Sequence, residues 1–218
     1  MKSFFAVLLL TLPLPAASIV NGGLLLNQTD ANQLATWLGP GDLTFTNIFS
    51  SAPVAGGAAA FHAAADSQGA TFSLIQTNLG LVGGYDPLPW DSSGSYNIQN
   101  STTGRDAFIF NLSTPTMLAQ RLDFAGKVQT YNNSSFGPTF GGGFDLTVYS
   151  SDLSRGSSYG GIGQPNMFGA STLKLFTVSR VETFTFAQAS AATPEPATSL
   201  LCGGALLALG ALRKRRLS

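Results

Sequence analysis

Cysteine is nearly absent from this chain: 218 residues hold one, Cys202. It falls in an apolar stretch near the C-terminus, so everything before it lacks a disulfide, a thiol nucleophile and a thiolate metal site. Histidine is as scarce, with His62 alone, which excludes a histidine-rich metal cluster. Asp, Glu, Lys and Arg make up 10% of the chain, against roughly a quarter in ordinary soluble domains. Between residues 19 and 192, six Lys/Arg stand against ten Asp/Glu, a formal charge of −4. Binding a phosphate-rich polymer needs a basic face that releases counterions, so nucleic acid is not an expected partner. Only Met117 and Met167 lie in that region, which leaves little side-chain redox chemistry.

What is present speaks first at the two ends. Lys2, the apolar run Phe4 to Leu12, the breaks at Pro13 and Pro15, and the small residues Ala16-Ala17-Ser18 have the three parts of a secretory signal peptide. The expectation is a signal peptide over residues 1–18 and a mature chain that begins near Ile19. A first buried strand is the competing reading of the same run.

The chain closes with "TPEPATSLLCGGALLALGALRKRRLS", residues 193–218. Ala197 to Leu212 carries no charge, and as a helix it reaches about 24 Å, close to the ~30 Å hydrocarbon core of a bilayer. Arg213, Lys214, Arg215 and Arg216 follow at once, and cations beside a span favour the cytoplasmic side. A transmembrane helix over 197–212 with the preceding domain outside is therefore expected, in agreement with the signal peptide. Pro194 and Pro196 flank Glu195 and hold the chain extended just outside that helix. The three-part tail resembles a PEP-CTERM sorting signal. That resemblance implies an exosortase-type membrane protease as processing partner, in a bacterium with an outer membrane. Cleavage near Pro194-Glu195-Pro196 would deliver the protein to the cell surface or extracellular matrix.

Residues 19–192 form one domain by length and composition. A helix is expected at its start, capped by Thr29 or Asp30, striped by Leu34, Trp37 and Leu38, and stopped at Gly39-Pro40. A second short helix fits 56–67. Strands are expected at 43–50, 70–77, 79–85, 106–112, 144–150 and 172–186, where Phe, Val, Ile and Thr alternate with polar residues. The fold class read from this is mainly β (α+β): a two-sheet antiparallel β-sandwich with a few flanking helices.

Within the domain, "YNNSSFGPTFGGGFDLTVYS" (131–150) excludes a phosphate cradle, because no Gly-Lys-Ser/Thr follows and the segment leads into a strand. The stretch resembles the TLDc domain, whose members carry a similar Gly-Pro-Thr-Phe-Gly-Gly-Gly segment. Segments 61–77, 80–90, 105–112, 156–165 and 178–186 fall in the same order as that family's motifs, so the likeness spans about residues 29–187. It implies a compact two-sheet sandwich with flanking helices. The family's roles inside eukaryotic cells, in oxidative-stress resistance and at the vacuolar proton pump, do not carry over to an exported protein, because fold does not imply function.

Four sets of residues carry possible chemistry. Gly156-Ser157-Ser158-Tyr159-Gly160 matches the nucleophile-elbow pattern, but loop follows where a helix is required. His62 stands one helical turn before Asp66, the spacing of a general base with its orienting carboxylate, and equally of a local hydrogen bond. Asp86, Asp91 and Asp106 flank a Pro-rich turn and offer either Ca²⁺ oxygens or turn chemistry. Trp90 and Tyr85 offer ring faces for a sugar, or plugs for the core. No catalytic residue, cofactor or metal is expected. The leading expectation is an exported surface or matrix protein that binds extracellular polysaccharide or an envelope protein. The alternatives are a secreted hydrolase of extracellular glycan or ester, and protection against oxidants.

Overall fold

Asn27 opens the first helix. In the computed structural model, which describes residues 17–39, 41–51, 56–160 and 164–188, its side chain accepts the N–H of Asp30 at 3.0 Å and donates to the Asp30 carboxylate at 2.7 Å. This reciprocal cap starts α1 (Gln28–Leu38) two to three residues before the expected Thr29 or Asp30. Ala31, Leu34 and Ala35 form its buried stripe, while Trp37 and Leu38 are half-buried. The second helix, α2 (Gly57–Ala65), buries Ala58, Phe61 and Ala65 on one face.

Among the described residues the strands are β1 (Ser18–Val20), β2 (Leu43–Ser51), β3 (Thr71–Thr77), β4 (Gly80–Asp86), β5 (Ser95–Ile98), β6 (Phe108–Asn111), β7 (Thr116–Ala119), β8 (Val128–Asn132), β9 (Thr139–Phe140), β10 (Leu146–Val148), β11 (Arg155–Ser158) and β12 (Lys174–Gln188). They join in the order β5-β8-β9-β10-β11-β12-β3-β4-β6-β7, with β2 also on β12 and β1 on β2. Along that main path the ladders are antiparallel, whereas β1 runs parallel to β2. The protein is thus mainly β, an antiparallel sheet system with few helices.

Strand β12 organises the rest. Residues 174–177 pair with β11, residues 178–185 pair with β3, and the register shifts between Val178 and Arg180. Two cores result. One packs α2 and Trp90 with Ile75, Val82 and Val181, and with Phe140, Leu146, Val148 and Phe176. The other packs α1 with Phe45, Phe72, Leu74, Tyr85, Phe108, Phe110 and Phe184. Strand β3 contributes Phe72 and Leu74 to one core and Ile75 to the other, the period-two alternation of a strand covered on both faces.

The strand expected from Phe144 begins instead at Leu146, because Phe144 adopts φ 59 and belongs to the preceding turn. A bulky residue in this left-handed region is strained, and the turn is held by the Phe144 N–H on the Gly141 carbonyl at 3.3 Å. The chain separates into two units, Met1–Ala187 and Gln188–Ser218. The signal peptide expected over 1–18 lies almost entirely outside the described residues. The tail with Pro194, Glu195, Pro196 and the four cations lies wholly outside them. Among the described residues no helix is long and apolar enough to cross a membrane.

A surface cavity as candidate functional site

His62, Ser158, Asp86, Trp90 and Tyr85, which the sequence offered for chemistry, are buried in the fold. His62 is 3% exposed; its Nδ1 lies 2.7 Å from Asp66 Oδ1, and its Nε2 lies 3.0 Å from the Asn133 carbonyl. Both ring nitrogens face oxygen atoms of the protein itself, so neither stands open to a substrate. Asp66 also accepts the Ser92 hydroxyl at 2.7 Å. The trio ties α2 to the loops that flank β5 and β8.

Ser158 ends β11, fully buried. Its hydroxyl donates to the Asp145 carbonyl at 2.6 Å and accepts the Met167 N–H at 2.9 Å. A strand residue with its hydroxyl committed twice does not have the exposed geometry of a nucleophile elbow.

The three aspartates do not converge. Asp86 is fully buried, where it accepts the Leu88 N–H at 3.0 Å and the Thr130 hydroxyl at 3.1 Å. Desolvation lifts its carboxyl to about 7, against the downward pull of those hydrogen bonds. Asp91 is exposed and accepts the Ser93 N–H at 2.8 Å, an Asx-type turn. Asp106 is exposed on the approach to β6. Among the described residues no group of three or more His, Cys, Asp or Glu could hold a metal ion.

Trp90 and Tyr85 offer no ring face to a sugar. Trp90 is 1% exposed, donates from Nε1 to the Thr71 hydroxyl at 2.8 Å, and meets Phe61 and Phe140 edge-on. Tyr85 is buried against Phe72 and Phe108. Both are core residues.

A concave site exists elsewhere, and the sequence did not announce it as such. A cavity of about 410 Å³ opens where three distant segments meet. Phe108 and Ile109 come from β6 with Ala107 just before it, Phe140 to Gly143 with Asp145 from the glycine turn, and Tyr159, Gln164 and Pro165 from the loop after β11. A fourth wall comes from Gln120, Arg121 and the 3-10 turn Phe124–Lys127. The volume lies within the range of about 300–1,000 Å³ that holds small ligands.

The walls are apolar and the rim is mixed. Tyr159 is 44% exposed and Phe124 80%, two aromatic rings standing in solvent at the mouth. Lys127 Nζ sits 4.2 Å from the centre of the Phe124 ring, so one face of that ring carries a cation. Arg121 pairs with Asp123 and does not offer a bare charge. Asp145 is an exposed residue of the lining, its carboxylate lies against Gly141, and its carbonyl is fixed by Ser158 and by the Tyr159 N–H. Desolvation by the surrounding walls raises the Asp145 carboxyl above its usual range, and Arg121 opposes that shift.

Gly141 is required here. It has φ 80, and a Cβ would stand 2.0 Å from Asp145 Oδ2, so any side chain would displace the carboxylate. Within the lining, Gln129 donates from Nε2 to Gln120 Oε1 at 2.9 Å, which fixes its amide orientation and leaves its own Oε1 buried with no donor. The chain matches no protein-family model and no curated protein.

Proposed function

We propose that this chain is an exported, surface- or matrix-associated binding or structural protein of TLDc-like fold. In this reading exosortase-type sorting delivers it, and it carries out no catalysis. The observation that carries the binding part is the cavity. Segments 105–112, 131–150 and 156–165, on which the TLDc resemblance was drawn, lie far apart in sequence and supply three of its walls. The two-sheet sandwich belongs to the same proposal. Its support is the shared core in which Ile75, Val82 and Val181 pack with Phe140, Leu146, Val148 and Phe176, from strands on both sides of β12.

The export part rests on the sequence alone: the signal peptide, and the tail with Pro194, Glu195, Pro196, the apolar helix 197–212 and the four cations. Deleting residues 193–218 should abolish delivery to the surface or matrix, measured by fractionation of cells and extracellular material. Unchanged surface amounts would defeat the sorting reading. Co-sedimentation of the protein with extracellular polymer from the source organism tests the binding part.

A secreted hydrolase is the second reading, and the cavity gives it weak footing. Glycoside hydrolysis commonly uses a pair of carboxylates about 5–10 Å apart, and Asp145 is the one carboxylate among the described lining residues. Protection against oxidants ranks last, since Met167 is buried and Met117 half-buried.

A further inference from the structure

We propose that the cavity between β6, the Gly141–Gly143 turn and Tyr159 binds a neutral sugar residue of an extracellular glycan, an inference that rests on the binding reading above.

The groups around the mouth narrow the class of ligand. Two exposed aromatic rings, Tyr159 and Phe124, offer flat apolar faces, and the walls behind them are aliphatic and aromatic. A purely apolar ligand suits those walls but strips water from Asp145 without replacing its hydrogen bonds. A cationic ligand meets Lys127 at the same rim, and an anionic ligand meets Asp145. What satisfies all of them is a neutral ring with one CH-rich face for the aromatics and hydroxyls along its edge. Asp145 accepts from such hydroxyls, and Lys127 and the Tyr159 hydroxyl donate to them. A pyranose has that chemistry.

The turn is built to present the acceptor. Asp145 is fixed through its backbone by β11, and Gly141 leaves room for its carboxylate.

The test uses the purified full chain and three sets of probes. These are mono- to tetrasaccharides of glucose, galactose, mannose and N-acetylglucosamine; their uronate counterparts; and decanoate as an apolar ligand. Saturation-transfer NMR detects contact, and calorimetry gives Kd. The expected result is saturable binding by at least one neutral series, weakened about three- to tenfold by Tyr159→Ala, the loss typical of one aromatic contact. Asp145→Asn should weaken it several-fold, and Phe124→Ala should add to the Tyr159 effect. These three side chains are solvent-exposed, so their removal leaves the fold intact, as circular dichroism and melting will verify. The proposal is overturned if no neutral sugar binds, if uronates or decanoate bind in preference, or if the variants leave Kd unchanged. Polymer co-sedimentation that survives Tyr159→Ala would keep the binding reading and remove the cavity from it.

Discussion

Glu182 Oε1 accepts the backbone N–H of Leu24 at 2.8 Å, across 158 residues of chain. Its other oxygen takes the Leu25 N–H at 3.0 Å, so one fully buried carboxylate on β12 clamps the segment that leads into α1. Gly23 makes the approach possible, because a Cβ there would stand 1.9 Å from Glu182 Oε2. Hydrogen bonds to a charged group contribute about 1.5–3 kcal/mol each, so Glu182→Ala should cost ~3 kcal/mol or more in urea unfolding. Glu182→Gln keeps one acceptor and should cost less. Gly23→Ala should approach the effect of Glu182→Ala. Equal stability of all three with the parent would sink the clamp.

Asp86 makes stability depend on pH. Its carboxyl is raised to about 7 in the folded protein from 3.8, so the folded state binds the proton more tightly than the unfolded chain. This contribution is fully present below pH ~4 and is lost as pH rises through ~7, with ~4 kcal/mol as its upper bound. Asp86→Asn should flatten that slope and stabilise the protein at pH 8. Urea midpoints measured from pH 4 to 8 check both; a variant with an unchanged slope would contradict the assignment.

Trp90 anchors the core against α2. Trp90→Ala should destabilise by ~3–5 kcal/mol, as for large aromatic truncations in other cores. Trp90→Phe should cost ~1–3 kcal/mol, since it leaves the buried Thr71 hydroxyl without its indole partner. Thermal melts of both variants decide it, and a smaller loss for alanine than for phenylalanine would be inconsistent with the packing.

Ser158 is a strut between β11, Asp145 and Met167. Ser158→Ala should lower stability by ~1–3 kcal/mol by leaving the buried Met167 N–H without its acceptor. Any hydrolysis of an ester or glycan panel should be the same in parent and variant after correction for folded fraction. Activity that vanishes in Ser158→Ala at unchanged stability would revive the hydrolase reading.

The strands legible in the sequence were those lying in segments that alternate: β2, β3, β4, β6, β10 and β12 are expected within two residues of their observed ends. The strands β5, β7, β8, β9 and β11 were not, because their segments show no alternation to read and form only against a neighbour already in place. Asn27 was missed as a cap because Thr29 and Asp30 are as good by type, and only the reciprocal bond to Asp30 selects it. The His62–Asp66 contact followed from helical spacing. Its sealing by Asn133, 71 residues away, did not.

The sequence by itself determined the β-rich class, the positions of α1 and α2 and the lack of thiol chemistry before Cys202. These depend on residue type and on periods of two and 3.6 along one stretch of chain. Tertiary structure decided which side chains are spent and which are offered. It buried Trp90, saturated Ser158 and His62, and left Tyr159, Phe124 and Asp145 around one cavity. A hydrogen-bond partner or a cavity wall dozens of residues away is chosen by sheet register, and register is a property of paired strands that no single segment contains.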